Sequence, residues 1–217
     1  MPALLACSAS RRYDCFANLL EVIVNNDPVG NHFKVSLDAL TAAANDAALL
    51  ALTREIATMI AESLRSGHKV LLIGNGGSAA DAQHIAAELV GRYKKERPGW
   101  AAIALTTDTS ALTAIGNDYG IEQIFARQVE GLGLRGDILI AMSTSGRSAN
   151  IVAAIERARG MGITTIGFTG AKGSSMGTLC DRLFVAPTDD TPVVQQIHMT
   201  ALHAICDQVE RALIAAK

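Results

Sequence analysis

The chain has 217 residues, 49% of them hydrophobic and only 4% aromatic, with a formal net charge of -2. That length supports one sizeable domain with a core of Ala, Leu, Ile and Val. The balanced charge gives no ground for nucleic acid or an anionic membrane as the main partner, and no apolar run approaches the roughly 18 residues of a membrane span.

Residues 1–31 read as an N-terminal extension. A short helix is expected over Phe16–Val24, then a turn cluster through Asn25-Asn26-Asp27-Pro28-Val29-Gly30-Asn31. Met1 to Cys7 is apolar, but Arg11, Arg12 and Asp14 follow at once and no basic segment precedes it, so it does not read as a secretory signal. Cys7, Cys15, Cys180 and Cys206 show no paired spacing, which predicts free thiols in a reducing cytoplasm.

Residues 32–217 read as one domain. His32 to Ser66 is helical in pattern. Asn45-Asp46 is a break or a second cap, and Leu52, Ile56, Met59, Ile60 and Leu64 form an amphipathic stripe. Short apolar runs then alternate with helical stretches. Strands are expected at Val70–Ile73, Ala101–Leu105, Asp137–Met142, Thr164–Thr169 and Arg182–Ala186. Helices are expected at Ala79–Val90, Thr109–Ile115, Ile121–Leu132, Ser148–Met161, Ser174–Cys180 and Thr191–Ala216. Strands separated by helices predict an α/β fold. It is a doubly wound three-layer sandwich with a five-stranded parallel sheet, N-terminal helices and a long C-terminal helix. Its ligand belongs beyond the C-terminal ends of the strands.

Three of those ends carry small polar residues. Ser143-Thr144-Ser145-Gly146-Arg147-Ser148 offers hydroxyls and free backbone N–H groups before a helix, which suits a phosphate; the alternative is a Ser/Thr-rich turn with an ordinary N-cap at Ser148. Asn75-Gly76-Gly77-Ser78 is a strand–turn–helix anion site, but it matches no dinucleotide or nucleoside triphosphate fingerprint. Thr106-Thr107-Asp108-Thr109 is the third. His84 and Glu88, at i and i+4, project from one helix face and can share a metal ion or a proton-transfer task; the same spacing also occurs on solvated faces. Gln195, His198 and His203 lie on the terminal helix, where spacing alone does not separate site from surface.

The runs GNGGSAADAQHIAAEL, STSGRSANI, TAIGNDYG and DTPVVQQIHMTALH together resemble the sugar isomerase (SIS) superfamily, and within it the phosphoheptose isomerases. The resemblance covers Val35 to the C-terminus. It implies a zinc ion, one per site, held by His84, Glu88, Gln195 and His203, with Glu88 and His203 catalytic. It implies substrate binding by Asn75, Gly76, Gly77, Ser78, Glu88, Asn117, Asp118, Gln195 and the phosphate loop Ser143, Thr144, Ser145 and Ser148. Asp81, Arg92 and Asp190 match polar positions near the site. The implied reaction converts sedoheptulose 7-phosphate to D-glycero-D-manno-heptose 7-phosphate through an enediol, for heptose and lipopolysaccharide precursors. The implied assembly is a cytoplasmic homotetramer with sites between subunits, binding a phosphorylated seven-carbon sugar, with neither nucleic acid nor membrane as partner. Some relatives instead bind a replication initiator protein without isomerase chemistry, and others sense a sugar phosphate. The former lack the residues matching Glu88 and His203, both present here. Two tensions accompany the ligand set. A zinc-bound Glu88 is a weaker base, and Gln195 and His203 stand roughly 12 Å apart along a straight helix, which makes His198 a rival neighbour for Gln195.

Overall fold

A computed structural model describes residues 27–215. The helix expected at Phe16–Val24, Cys7 and Cys15 lie outside them. Two helices come first: α1, Pro28–Asn45, and α2, Ala47–Arg65. The first begins inside the stretch expected to be a turn. Asp27 accepts hydrogen bonds from the Val29 and Gly30 amides and Pro28 fills the first helical position, so the same turn-forming residues start a helix. Asp46 ends α1 and caps α2 through the Leu49 amide, which is the break expected at Asn45-Asp46.

Five parallel strands follow: β1 Val70–Gly74, β2 Ala102–Ala104, β3 Ile138–Met142, β4 Thr164–Gly170 and β5 Arg182–Ala186. Their order is β2-β1-β3-β4-β5, so the connections leaving β1 and β3 run to opposite sides and a crevice opens between these two strands. The connecting helices are α3 Gly77–Val90, α4 Thr109–Tyr119, α5 Ala126–Leu132 and α6 Ala149–Gly160, and α7, Thr191–Ile214, closes the chain. Strand residues alternate between two cores. Val70, Leu72, Ile138, Ile140 and Met142 pack with α2, α3 and α7 through Ile56, Ile60, Ile85, Leu89, Ile197 and Leu202. Leu71, Ile73, Leu139 and Ala141 pack with α5 and α6 through Val129, Ile151 and Ile155. Each fully buried Leu or Ile contributes about 1.5–3 kcal/mol, so both faces are needed to hold the central strands.

Four expectations shift, the first being that α4 runs past Ile115 to Tyr119. Edge strand β2 is shorter than Ala101–Leu105, and its middle residue, Ile103, is exposed. The helix expected over Ile121–Leu132 is a 3₁₀ turn, Ile121–Gln123, followed by α5, because the chain enters it through Gly120 at φ +91° and then buries Ile124 and Phe125 before α5. Ala171–Thr178 is 3₁₀ where an α-helix was expected at Ser174–Cys180. No single helix among the described residues is long and apolar enough to cross a membrane.

Candidate active site

The turns after β1 and β3 and the start of α7 enclose a cavity of about 280 Å³, lined by Asn75, Gly76, Gly77, Ser78, Met142, Ser143, Thr144, Ser148, Thr191 and Gln195. It sits at the crevice that the strand order creates. Helices α3, α6 and α7 all start here, and none has a side-chain cap: Gly76, Ser148 and Asp190 make no such bond. Helices α1, α2 and α4, which begin elsewhere, are each capped by an aspartate, Asp27, Asp46 and Asp108. Three sets of free amides and three positive dipole ends therefore meet in one place, with no Lys or Arg lining it. The Ser148 hydroxyl lies 3.1 Å from the Ser143 hydroxyl instead of capping its own helix, which decides against the ordinary N-cap.

Two glycines shape the rim. Gly76 has φ +54°. A Cβ on Gly77 would stand 2.8 Å from both the Cδ and the Oε1 of Gln195, so the Gln195 amide lies flat against that turn. Asn75 does not point free into the cavity. Its amide exchanges two 2.9 Å hydrogen bonds with Asn150, a residue that no sequence pattern singled out. Ser145 is exposed and lies outside the lining, its hydroxyl accepting from the Arg147 amide at 3.3 Å.

Further along α3 and α7, His84, Glu88 and His203 come together. His84 Nε2 is 3.1 Å from Glu88 Oε1 and 3.3 Å from His203 Nε2, and one ligand atom from each lies within 4.8 Å of the others. This is the one such group of His, Cys, Asp and Glu among the described residues. The site is half open, with the His84 side chain 50% and the Glu88 side chain 21% exposed. Two imidazole nitrogens and a carboxylate oxygen suit zinc, and tetrahedral bonds of about 2.0–2.1 Å place neighbouring ligand atoms about 3.3 Å apart. The donor set and its spacing fit a divalent metal. Gln195 is not brought to this group within the chain. It lies at Gly77, about two turns (roughly 10 Å) up α3 from His84. His198, the rival, is fully buried beneath Phe168 and Phe184 and faces neither site.

Asp81, one turn before His84, keeps one carboxylate oxygen buried without a partner. Burial raises its carboxyl above the ordinary range, with the nearby His84 acting in the opposite sense. Tyr93, which no sequence pattern pointed to, stacks on His203 with ring centres 5.6 Å apart and planes at 22°. Asn117 and Asp118 are exposed at the end of α4, bonded to each other at 2.8 Å, and do not line the cavity.

A family model described as the SIS domain matches residues 33–170. A phosphoheptose isomerase from Bradyrhizobium sp. strain BTAi1 is 63% identical over 189 residues, covering 87% of this chain and 96% of that one. The chain belongs to the phosphoheptose isomerase family of SIS domain proteins. Another member, from Burkholderia pseudomallei strain K96243, is 54% identical over 168 residues, covering 77% of this chain and 85% of its own. A solved phosphoheptose isomerase from Neisseria gonorrhoeae superposes with a TM-score of 0.79 at 41% identity, covering 84% of this chain and 97% of that one. The SIS domain match ends where β4 ends, so His203 and Gln195 lie beyond it on α7.

Proposed function

We infer that the chain is an aldose–ketose isomerase that interconverts sedoheptulose 7-phosphate and D-glycero-D-manno-heptose 7-phosphate through an enediol, supplying heptose for lipopolysaccharide precursors. The observation that carries this is the pairing of an anion cavity with an acid–base cluster on the same two helices, at a separation that suits the substrate. Gly77 and His84 are seven residues apart on α3, roughly 10 Å. A seven-carbon chain bearing its phosphate at C7 also spans roughly 10 Å from phosphorus to C1 when extended, with C–C bonds of about 1.5 Å.

In this reading the free amides of α3, α6 and α7, with Ser78, Ser143, Thr144 and Ser148, hold the phosphate. Ser145, in the same loop but outside the lining, turns its hydroxyl to the Arg147 amide instead. Glu88 removes the proton from C1 of the ketose and returns it to C2 of the enediol. His203 gives a proton to the C2 oxygen and takes one from the C1 oxygen. His84, Glu88 and His203 would hold a divalent metal such as zinc, which would supply Lewis-acid polarisation of the hydroxy-carbonyl pair. Gln195, seated at Gly77, binds the sugar between the two ends and would have to leave that turn to serve as a further metal donor beside His84, Glu88 and His203.

The assembly is a homotetramer with sites between subunits. Two features support it. Val29, Phe33 and Leu37 form an exposed apolar stripe on α1, at 66%, 72% and 63% exposure. Helix α4 has no fully buried residue, only Leu112 and Ile115 packing partly buried on the core, and near its end it carries the exposed Asn117 and Asp118, which then complete a neighbouring subunit's site. The free thiols of Cys180 and Cys206, both pushed up to about 12 by burial, suit the cytoplasm.

The test is direct. Purified protein incubated with sedoheptulose 7-phosphate yields the aldose phosphate, and a chelator removes that activity. Glu88→Gln and His203→Ala each lower kcat about 10²–10⁴-fold with the oligomer intact. Full turnover in either variant rejects the assignment.

A further inference from the structure

Between α3 and β2, the loop 91–100 is tied to the two ligand-bearing helices by a buried ion pair. Arg97 and Glu210 have side chains only 3% and 2% exposed, with Arg97 Nε 3.4 Å from Glu210 Oε1. Glu210 also accepts hydrogen bonds from the backbone amides of Tyr93, Lys94 and Lys95, at 3.3, 3.0 and 2.9 Å. Arg97 donates in the other direction, to the backbone carbonyls of Glu88 at 2.7 Å, Leu89 at 2.8 Å and Gly91 at 3.1 Å, and its guanidinium lies 3.6 Å over the Trp100 ring. One guanidinium thus joins the last turn of α3, which carries Glu88, to α7, which carries His203. A second link runs from Lys94 Nζ to Asp207, 3.2 Å away on the same helix.

Glu210 lies seven residues beyond His203, two turns further along the same side of α7. Holding the amides of 93–95 there lays the Tyr93 ring on His203, whose other neighbour, His84, meets it edge-on at 5.0 Å and 70°. A buried ion pair is a poor source of stability, since well-packed apolar replacements often do as well. Its value here lies in position.

We propose that the Arg97–Glu210 pair is a clamp. It sets the separation of α3 and α7 and, through Tyr93, the ring orientation of His203, so that His84, Glu88 and His203 are presented ready for a metal. Arg97, Glu210 and Tyr93 are positioning residues that touch no substrate. The proposal rests on the metal reading of the three residues given above.

Zinc titration against a chromophoric chelator tests it without reference to turnover. Tyr93→Ala weakens zinc binding about 10-fold, while Tyr93→Phe, which keeps the stacked ring, binds as the unmodified protein does. The paired variant Arg97→Met/Glu210→Leu takes the acceptor from three backbone amides, so its melting temperature falls, and it weakens zinc binding about 10- to 100-fold, the usual effect of losing groups that orient metal ligands. With sedoheptulose 7-phosphate, kcat falls in the same order and KM stays level. Unchanged zinc affinity in Tyr93→Ala overturns the clamp, whether or not the paired variant folds. Absence of zinc binding by the unmodified protein overturns the metal reading and the clamp with it.

Discussion

His198 shows how a residue can look functional in sequence and be structural in space. Its Nε2 lies 3.2 Å from the Thr169 carbonyl, which only accepts, so Nε2 carries the proton and Nδ1 stays bare and buried. Burial, the larger cause, pushes the imidazole down from 6.5 to about 4, with the carbonyl acting in the opposite sense. Below about pH 6.5 the unfolded chain takes up a proton that the folded one refuses. The stability tied to neutral His198 is therefore complete above that pH and is lost as pH falls from 6.5 towards 4, about 3 kcal/mol in all. Urea unfolding at pH 7, 5.5 and 4.5 measures it, and His198→Leu flattens the dependence. A variant with an unchanged pH slope removes this account. The i, i+4 relation of His84 and Glu88 was readable in the chain, because two positions one turn apart share a face in any helix. That His203 joins them depends on how α3 and α7 pack, which no local pattern encodes. Tyr93 was invisible for the same reason: its anchor, Glu210, lies 117 residues away in the sequence.

The strands were readable where burial is complete. β1 and β3 are continuous apolar runs because both faces are covered, and their limits were expected to within a residue. The edge strand and the 3₁₀ turns were less so, since partial burial blurs the period. Secondary elements place the cavity by their starts: three helices begin without caps where two loops cross. Within this frame Gly77 is the element-scale test. Gly77→Ala puts a methyl group where the Gln195 amide rests and displaces that side chain. The start of α3 survives, because alanine is a better helix former than glycine. The expected outcome is an unchanged or slightly higher melting temperature with KM for the sugar phosphate raised severalfold, about 1 kcal/mol of lost binding. A KM equal to the parent's shows that Gln195 does not touch the substrate.

For the whole molecule, the sequence readily indicated a parallel sheet but not which residues serve the chain's own cavity. Asn117 and Asp118 belong to the recognisable segment TAIGNDYG, yet they sit exposed on a helix with no fully buried residue and outside the cavity lining. The association between copies proposed above would account for that. Phe33→Glu, in the middle of the exposed stripe on α1, is expected to lower the assembly state in sedimentation velocity. Turnover falls with it if α4 completes a neighbour's site. A monomeric variant with full activity separates the two.

The unsatisfied amides at the starts of α3, α6 and α7 also bear on how firmly the chain holds its shape. Like-signed dipole ends repel one another until a counter-ion arrives, so solute binding and unfolding are thermodynamically linked. An oxyanion at 100 times its dissociation constant adds about 2.7 kcal/mol to the folded state. Melting curves in inorganic phosphate should rise with concentration, whereas matched chloride leaves them flat, and Ser148→Ala should blunt the rise. The cell's pool of phosphorylated sugars thereby becomes part of what keeps this protein folded.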